Sequence, residues 1–184
     1  MAAKPGEVRV WDPVVRVLHW SLALSVIGAW VTHEVGGAVH EILGYAALAL
    51  VGLRLVWGVV ATGQARWSAF LRSPSRSWAY ALQVWHGEEK RHLGHNPLGG
   101  WMIVALLGTV GVASLSGWLF VTDEFWGVKW VEDLHAFFGN LLLILIPVHV
   151  AGVIFTSRRQ RENLVAAMWH GRKRVDDEPN ITLK

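Results

Sequence analysis

The sequence predicts an all-α integral membrane protein built as a four-helix bundle. Four apolar stretches predict it, near residues 14–31, 39–60, 98–121 and 134–155. Each has about the 17–25 residues that a helix needs to cross a bilayer. The composition agrees, because 53% of the 184 residues are hydrophobic and 17% are charged, whereas soluble domains have about 25% charged residues. We therefore expect one membrane domain over residues 1–184.

The first and third stretches have recognisable helix starts. In "WDPVVR" we expect Asp12 to cap the first span and Pro13 to take its first helical position, and Asn96 and Pro97 play the same parts in "HNPLGGW". The segment before Trp11 is short and polar and has no small-residue cleavage site, so we expect no cleaved signal peptide.

The basic residues are unevenly distributed between the spans. They concentrate in residues 1–13, in the 61–97 loop and in the 157–184 tail, while the other two connections hold mostly acids and the single base Lys129. By the positive-inside rule, both termini, the loop and the tail are expected in the cytoplasm. The net charge of +3 then reflects topology and contact with membrane lipid, and nucleic acid is excluded as a partner.

The loop and the tail have amphipathic patterns of their own. "WSAFLRSPSRSWAYALQVWHG" alternates apolar and basic positions and is expected to lie along the membrane surface as a helix. The tail segment "SRRQRENLVAAMWHGRKR" has a similar pattern, and the last ten residues are expected to be disordered.

Four histidines lie in the apolar stretches at two matched depths. His135 and His149 are fourteen residues apart, so in a helix they are separated by roughly 21 Å and point within about 40° of each other. His19, near the start of span one, lies level with His149, and His40, at the start of span two, lies level with His135. Two cross-helix pairs stacked in this way are what a metalloporphyrin with two axial imidazoles requires.

Other interpretations of these histidines stay open. A histidine in a span is often a hydrogen-bonded structural residue or part of a proton relay, although four at matched depths favour a cofactor. His33 lies fourteen residues after His19 and is a rival to His40 as the outer ligand. The absence of cysteine excludes covalent c-type haem and cysteine-ligated iron–sulfur clusters.

Two arginines occur within the same spans. Arg54 follows His40 by fourteen residues, and a buried arginine needs an anion, which a haem propionate would supply. Arg16 lies one turn before His19 and is a second candidate. The alternative for both is that they extend to lipid phosphates.

Two glycines follow the outer histidines at a spacing of one helical turn. Gly44 comes four residues after His40, and Gly139 comes four after His135. A flat macrocycle needs such room beside its ligands, whereas close helix–helix packing is the alternative reason for a glycine there.

These segments resemble a known family, the bacterial cytochrome b561 group, which is related to the b-type cytochrome subunits of nickel–iron hydrogenases. The resemblance covers about residues 9–170 and lies in "RVLHW", "HEILGYAALALVGLRLVWG", "GHNPLGGWM" and "LHAFFGNLLLILIPVHV". It implies a four-helix bundle in the bacterial inner membrane that holds two b haems. The resemblance pairs His19 with His149 and His40 with His135 as axial ligands.

The resemblance leads to two hypotheses for the function. The first is a membrane cytochrome that carries electrons between a quinone pool and a redox partner, such as a c-type cytochrome or a dehydrogenase or hydrogenase subunit. Two axial histidines leave the iron no open position, which favours electron transfer over oxygen chemistry. The second is an enzyme, a superoxide oxidase that reduces ubiquinone, although acidic outer connections should repel superoxide. No catalytic residue is assigned, and a purely structural or ion-transporting protein is disfavoured by the register of histidines and arginines and because the spans lack acids apart from Glu41 at the start of the second.

Overall fold

The structure is a computed structural model that describes residues 6–34 and 37–174. The described residues form seven α-helices, one short 3₁₀ helix (Gly63–Ala65) and two short strands. In chain order these are β1 (Glu7–Arg9), α1 (Pro13–Val31), α2 (Ala38–Val60), α3 (Trp67–Phe70), α4 (Pro74–His86), α5 (Pro97–Phe120), α6 (Lys129–Arg159), α7 (Leu164–His170) and β2 (Arg172–Arg174).

Four of these helices, α1, α2, α5 and α6, are long and apolar enough to cross a membrane. Each corresponds to one apolar stretch of the sequence, so the prediction of an all-α membrane helical bundle is confirmed. The helix α6 is longer than its apolar stretch, because it begins at Lys129 and ends at Arg159. Its first turn contains Glu132 and its last turn contains Arg158 and Arg159, which complement the helix dipole at both ends.

The predicted helix caps are present. The Asp12 carboxylate accepts hydrogen bonds from the backbone N–H groups of Val14 and Val15, at 2.8 and 3.1 Å. The same Oδ1 accepts from the Trp57 indole at 3.2 Å, so this cap also joins α1 to α2. Asn96 caps α5 by accepting from the Gly99 N–H at 2.7 Å.

The chain divides into two compact units, and the boundary crosses all four long helices. We call Met1–Arg16, Trp57–Ile103 and His149–Lys184 the terminal unit, and Val17–Val56 with Val104–Val148 the central unit. The central unit therefore contains the larger parts of the four long helices. The terminal unit contains α3, α4, α7 and both strands.

The two strands form an antiparallel ribbon in the terminal unit. Val8 lies opposite Lys173, and the N–H groups of Val10 and Trp11 both donate to the Gly171 carbonyl, at 2.9 and 3.1 Å. Gly171 has a φ of 85°, and a Cβ there would lie 3.1 Å from the Trp11 oxygen. The ribbon joins the N-terminal segment to the C-terminal tail, and three-residue strands are too short for the sequence pattern to have indicated them.

The amphipathic loop helix is interrupted. The segment expected to be one helix forms α3 and α4, separated by an extended turn that contains Leu71 and Ser73. The break occurs because the residue before Pro74 is disfavoured in helical geometry. The tail forms α7 and β2, and the last ten residues, which we expected to be disordered, lie outside the described residues.

A buried ion-pair network joins the loop to the tail. Glu162 lies 3.4 Å from Arg91 and 3.3 Å from Lys173, and Lys173 is only 4% exposed. Burial lowers the pKa of Lys173, and the nearby Glu162 carboxylate partly offsets this effect. The network therefore depends on the negative charge of Glu162.

We expect Glu162→Gln to lower the stability by about 3–5 kcal/mol, because it leaves a buried lysine without its counter-charge. Thermal unfolding of the detergent-purified protein measures this change as a lower midpoint. Glu88→Gln is the matched control, since Glu88 is exposed and its loss should change the midpoint little. Equal midpoints for the two variants would contradict a structural role for Glu162.

Tyr80 gives a second prediction, at high pH. The side chain is buried on α4 and hydrogen-bonded to the Asn96 side chain, and burial is the main cause that raises its pKa from 10.0 to about 12. The neutral phenol is thus favoured in the folded state, and its contribution to stability should be lost as the pH rises from 10 towards 12. The unfolding midpoint of the native protein should approach or pass below that of Tyr80→Phe over this range. Two midpoints that fall in parallel would show that the Tyr80 phenol has no such shift.

Candidate functional site

Two predicted histidines meet in the central unit. His40 lies in the first turn of α2 and His135 in the second turn of α6, and both are half-buried. Their ring centroids are 6.0 Å apart and the ring planes are nearly perpendicular, at 87°. The structure therefore brings His40 next to His135, as the matched depths on the two spans predicted.

Backbone carbonyls orient both rings. His40 Nδ1 lies 2.8 Å from the Ala29 oxygen on α1, and His135 Nδ1 lies 2.8 Å from the Ala113 oxygen on α5. A carbonyl oxygen only accepts hydrogen bonds, so each Nδ1 must carry a proton, and in the neutral imidazole the lone pair is then on Nε2. This is the arrangement by which a second partner fixes a metal-binding imidazole. All four long helices contribute to the site, two with imidazoles and two with carbonyls.

The helix geometry explains why the Ala29 carbonyl is available. Ala29 lies in the last turn of α1, which ends at Val31, and the last four carbonyls of a helix have no partner within it. The Ala113 oxygen is also within hydrogen-bond distance of the buried Ser116 hydroxyl, at 3.0 Å. Sequence reasoning missed both carbonyl partners, because every residue has a carbonyl and none is marked by its side chain.

Gly117 on α5 makes room for the His135 ring. A Cβ at this position would lie 2.9 Å from His135 Cε1 and 3.0 Å from His135 Nδ1, closer than ordinary van der Waals contact. Gly117 was not predicted from the sequence. The glycine in "LSGW" was the one available signal, since small residues are common wherever membrane helices approach closely.

The two predicted glycines lie in more open surroundings. A Cβ built at Gly44 or Gly139 would meet no heavy atom within 4 Å, whereas one at Gly28 would lie 2.9 Å from the Leu43 side chain. Both predicted glycines are half-buried. Close helix packing is therefore the reason for Gly28, and it does not explain Gly44 or Gly139.

The rival histidine, His33, has a different environment. It is exposed, its Nδ1 lies 2.5 Å from the Trp30 oxygen, and its ring stacks on the Trp30 indole with 5.3 Å between the centroids. These are local contacts at the end of α1.

The inner histidines are both half-buried on long helices. His19 lies on α1 in the central unit, where the Trp20 ring packs against it edge-on at 5.0 Å between centroids. His149 lies on α6 in the terminal unit. Their pairing as axial ligands stays a prediction.

The two predicted arginines differ in burial and in contacts. Arg54 is 6% exposed and lies in the central unit, within α2. Arg16 lies in the terminal unit, and its Nη2 donates to the Trp169 carbonyl at the end of α7. Arg16 therefore contacts the tail, an interaction that its sequence position did not indicate, while a role for Arg54 with a bound anion stays a prediction.

Two loop histidines pack against aromatic rings of the terminal unit. His95 lies between Trp11 and Phe70, with 4.5 and 5.0 Å between ring centroids. His92 meets the Tyr80 ring edge-on at 5.2 Å, and burial lowers its pKa below the usual 6.5. Both rings thus contribute to packing in this unit.

A comparison with protein families identifies the class. An all-α membrane bundle with paired imidazoles is typical of b-type membrane cytochromes, and the family model of prokaryotic cytochrome b561 matches residues 10–171. The chain therefore belongs to the prokaryotic cytochrome b561 family and is a membrane cytochrome of electron transfer. A search of the curated proteins found no match.

Members of this family bind haem b, and the outer histidine pair fits that group. The rings of His40 and His135 lie 6.0 Å apart between centroids, and each has its Nδ1 held by a carbonyl, so the pair would offer two imidazole nitrogens to haem iron. Among residues 6–34 and 37–174, no three His, Asp or Glu side chains form a metal site by themselves, and a porphyrin needs only two protein ligands.

Gly117→Ala tests the prediction that His135 binds haem, because the added methyl would displace the His135 ring. We expect weaker haem retention and a changed low-spin EPR signal, measured on the purified protein. Gly108→Ala is the matched control on the same helix, since a Cβ at Gly108 meets no atom within 4 Å. A Gly117→Ala spectrum identical to that of Gly108→Ala would argue against His135 as a ligand.

Proposed function

We propose that this chain is a di-haem b-type cytochrome that carries electrons across the membrane between a quinone pool and a redox partner. The observation that supports this most strongly is the outer pair, His40 and His135, with each Nδ1–H held by a backbone carbonyl. In this proposal their Nε2 atoms would hold the iron of the outer haem. His19 and His149 are the ligands of the inner haem, at the depth that the fourteen-residue spacing on α6 implies.

Other residues of the chain support these ligands. The carbonyls of Ala29 and Ala113 fix the imidazole tautomers and the orientation of both rings. Gly44 and Gly139 leave space next to the outer pair, and Arg54 supplies a buried positive charge for a propionate. Arg16 is a weaker candidate for binding a propionate, because its Nη2 already donates to the Trp169 carbonyl in the tail.

Haem b, when bound, supplies one-electron transfer, and two axial histidines leave its iron no position for oxygen or substrate. The residues of the chain then bind, orient and bury the group, and their charges tune its potential. The fourteen-residue spacing of His135 and His149 separates the two ligand pairs by roughly 21 Å along α6.

We further propose that the chain crosses the bacterial inner membrane with both termini, the 61–97 loop and the 157–184 tail in the cytoplasm. The connections on the other side are acidic, so a basic partner such as a c-type cytochrome is electrostatically favoured. A dehydrogenase or hydrogenase subunit is the alternative partner, and the quinone site has no assigned residues.

The superoxide oxidase alternative is less well supported. The one basic residue of the outer connections, Lys129, pairs with Asp133 one turn along α6, which reduces the field that would attract an anion. We therefore favour electron transfer with a protein partner.

Single substitutions of the outer histidines test the proposal. We expect His40→Ala and His135→Ala each to reduce the haem content from two to one per chain, measured by pyridine haemochrome on monodisperse protein. Added imidazole should restore the lost haem if the cavity is intact, which separates a missing ligand from misfolding. His33→Ala is the matched control and should keep two haems. A loss of haem in His33→Ala, with none in His40→Ala, would assign the outer site to the rival histidine.

A further inference from the structure

The helix α4 has three distinct faces. Ser77 and Tyr80 are buried, and Ala81 and Val84 are half-buried beside them. A second set, Trp78, Leu82 and Trp85, is 69%, 45% and 86% exposed. With about 100° per residue, this apolar stripe is centred roughly 120° from the buried face. The remaining third is exposed and mostly polar, with Ser75, Arg76, Ala79, Gln83 and His86.

Contacts hold α4 at the point where a membrane span begins. The Trp101 indole, in the second turn of α5, donates to the Arg72 carbonyl at 3.1 Å, just before α4. Gly100 lies against the backbone of Phe70, since a Cβ there would be 2.9 Å from the Phe70 oxygen. At the other end of the connection, Tyr80 is hydrogen-bonded to Asn96, the cap of α5.

These contacts fix the height of α4 relative to the bilayer. The helix α5 is one of the four candidate spans and begins at Pro97, and Trp101 lies only about 6 Å along it. Tryptophan is enriched at this level, where its ring enters the headgroup region. A helix fixed to the first turns of a span therefore lies at the membrane surface, and its exposed stripe must face lipid or water.

We propose that Trp78, Leu82 and Trp85 form an in-plane membrane anchor that lies in the headgroup region of the leaflet that α5 enters at Pro97. The occupant of this surface is lipid. Two tryptophans and a leucine on one stripe, with a polar third next to it, are the pattern of an interfacial helix. The excess of basic over acidic residues in the 61–97 loop adds attraction to anionic headgroups. This inference does not depend on the haem ligands or on the quinone.

Site-directed spin labelling tests the anchor directly. The chain has no cysteine, so single-cysteine variants need no background substitutions. Trp78→Cys, Leu82→Cys and Trp85→Cys report on the stripe, and Ala79→Cys and Gln83→Cys are matched controls on the polar face of the same helix. The holoprotein is placed in lipid nanodiscs of phosphatidylcholine and phosphatidylglycerol, and EPR saturation measures collisions of each label with oxygen and with a water-soluble nickel chelate.

We expect the ratio of oxygen to nickel collisions to be several-fold higher at the three stripe positions than at the two controls. An unchanged haem absorbance spectrum shows that each variant is folded. Nickel access at the stripe equal to that at the controls would overturn the anchor and would assign the face to a water-exposed role such as docking a protein partner.

A second measurement keeps the test independent of cysteine substitution. Brominated lipids quench tryptophan at the depth of the bromine, and the chain has twelve tryptophans. We expect the double variant Trp78→Phe, Trp85→Phe to lose part of the fluorescence quenched by lipids brominated near the headgroup. A quenched fraction equal to that of the native protein would contradict the anchor.

Discussion

The hydrogen bonds from two imidazoles to two backbone carbonyls are the interaction on which the central unit depends. A polar group inside a membrane is costly unless it is paired, and His40 and His135 are paired through Nδ1 to Ala29 and Ala113. Each bond joins two helices, α2 to α1 and α6 to α5. In the neutral imidazoles the same two bonds place the lone pairs on Nε2, so one set of contacts serves the packing of the bundle and, in our proposal, the binding of haem iron.

In the terminal unit, buried polar groups are paired through ion pairs and helix caps. Glu162 lies within ion-pair distance of a buried lysine and an arginine, the Asp12 cap also accepts from Trp57, and the β1–β2 ribbon satisfies the backbone near both ends of the described chain. Arg16 adds a further contact by donating a hydrogen bond to the Trp169 carbonyl. These contacts explain why the loop and tail form ordered elements where the sequence alone indicated amphipathic surface segments.

The sequence predicted those features that depend on composition and on residue type at a fixed spacing. Four apolar stretches became four long helices, and Asp12 and Asn96 became caps. His40 and His135, expected at one depth on two spans, lie next to each other. The sequence could not predict the carbonyl partners of the two histidines, because every residue has a backbone carbonyl and none is marked by its side chain. Gly117 was missed for a related reason: its role depends on which side chain of another helix lies opposite. The ribbon was missed because pairing over three residues depends on chain ends that are distant in sequence.

The inner pair, the sidedness and the redox partner remain proposals that rest on spacing and charge distribution. The outer pair has direct geometric support, and the family membership supplies the chemistry. Haem stoichiometry tests the central claim most directly, because each proposed histidine pair binds one haem. A pyridine haemochrome assay on the purified native chain, with oxidised and reduced spectra, should give two b haems per chain with low-spin bands. One haem, none, or a high-spin spectrum would contradict the assignment of two bis-histidine sites.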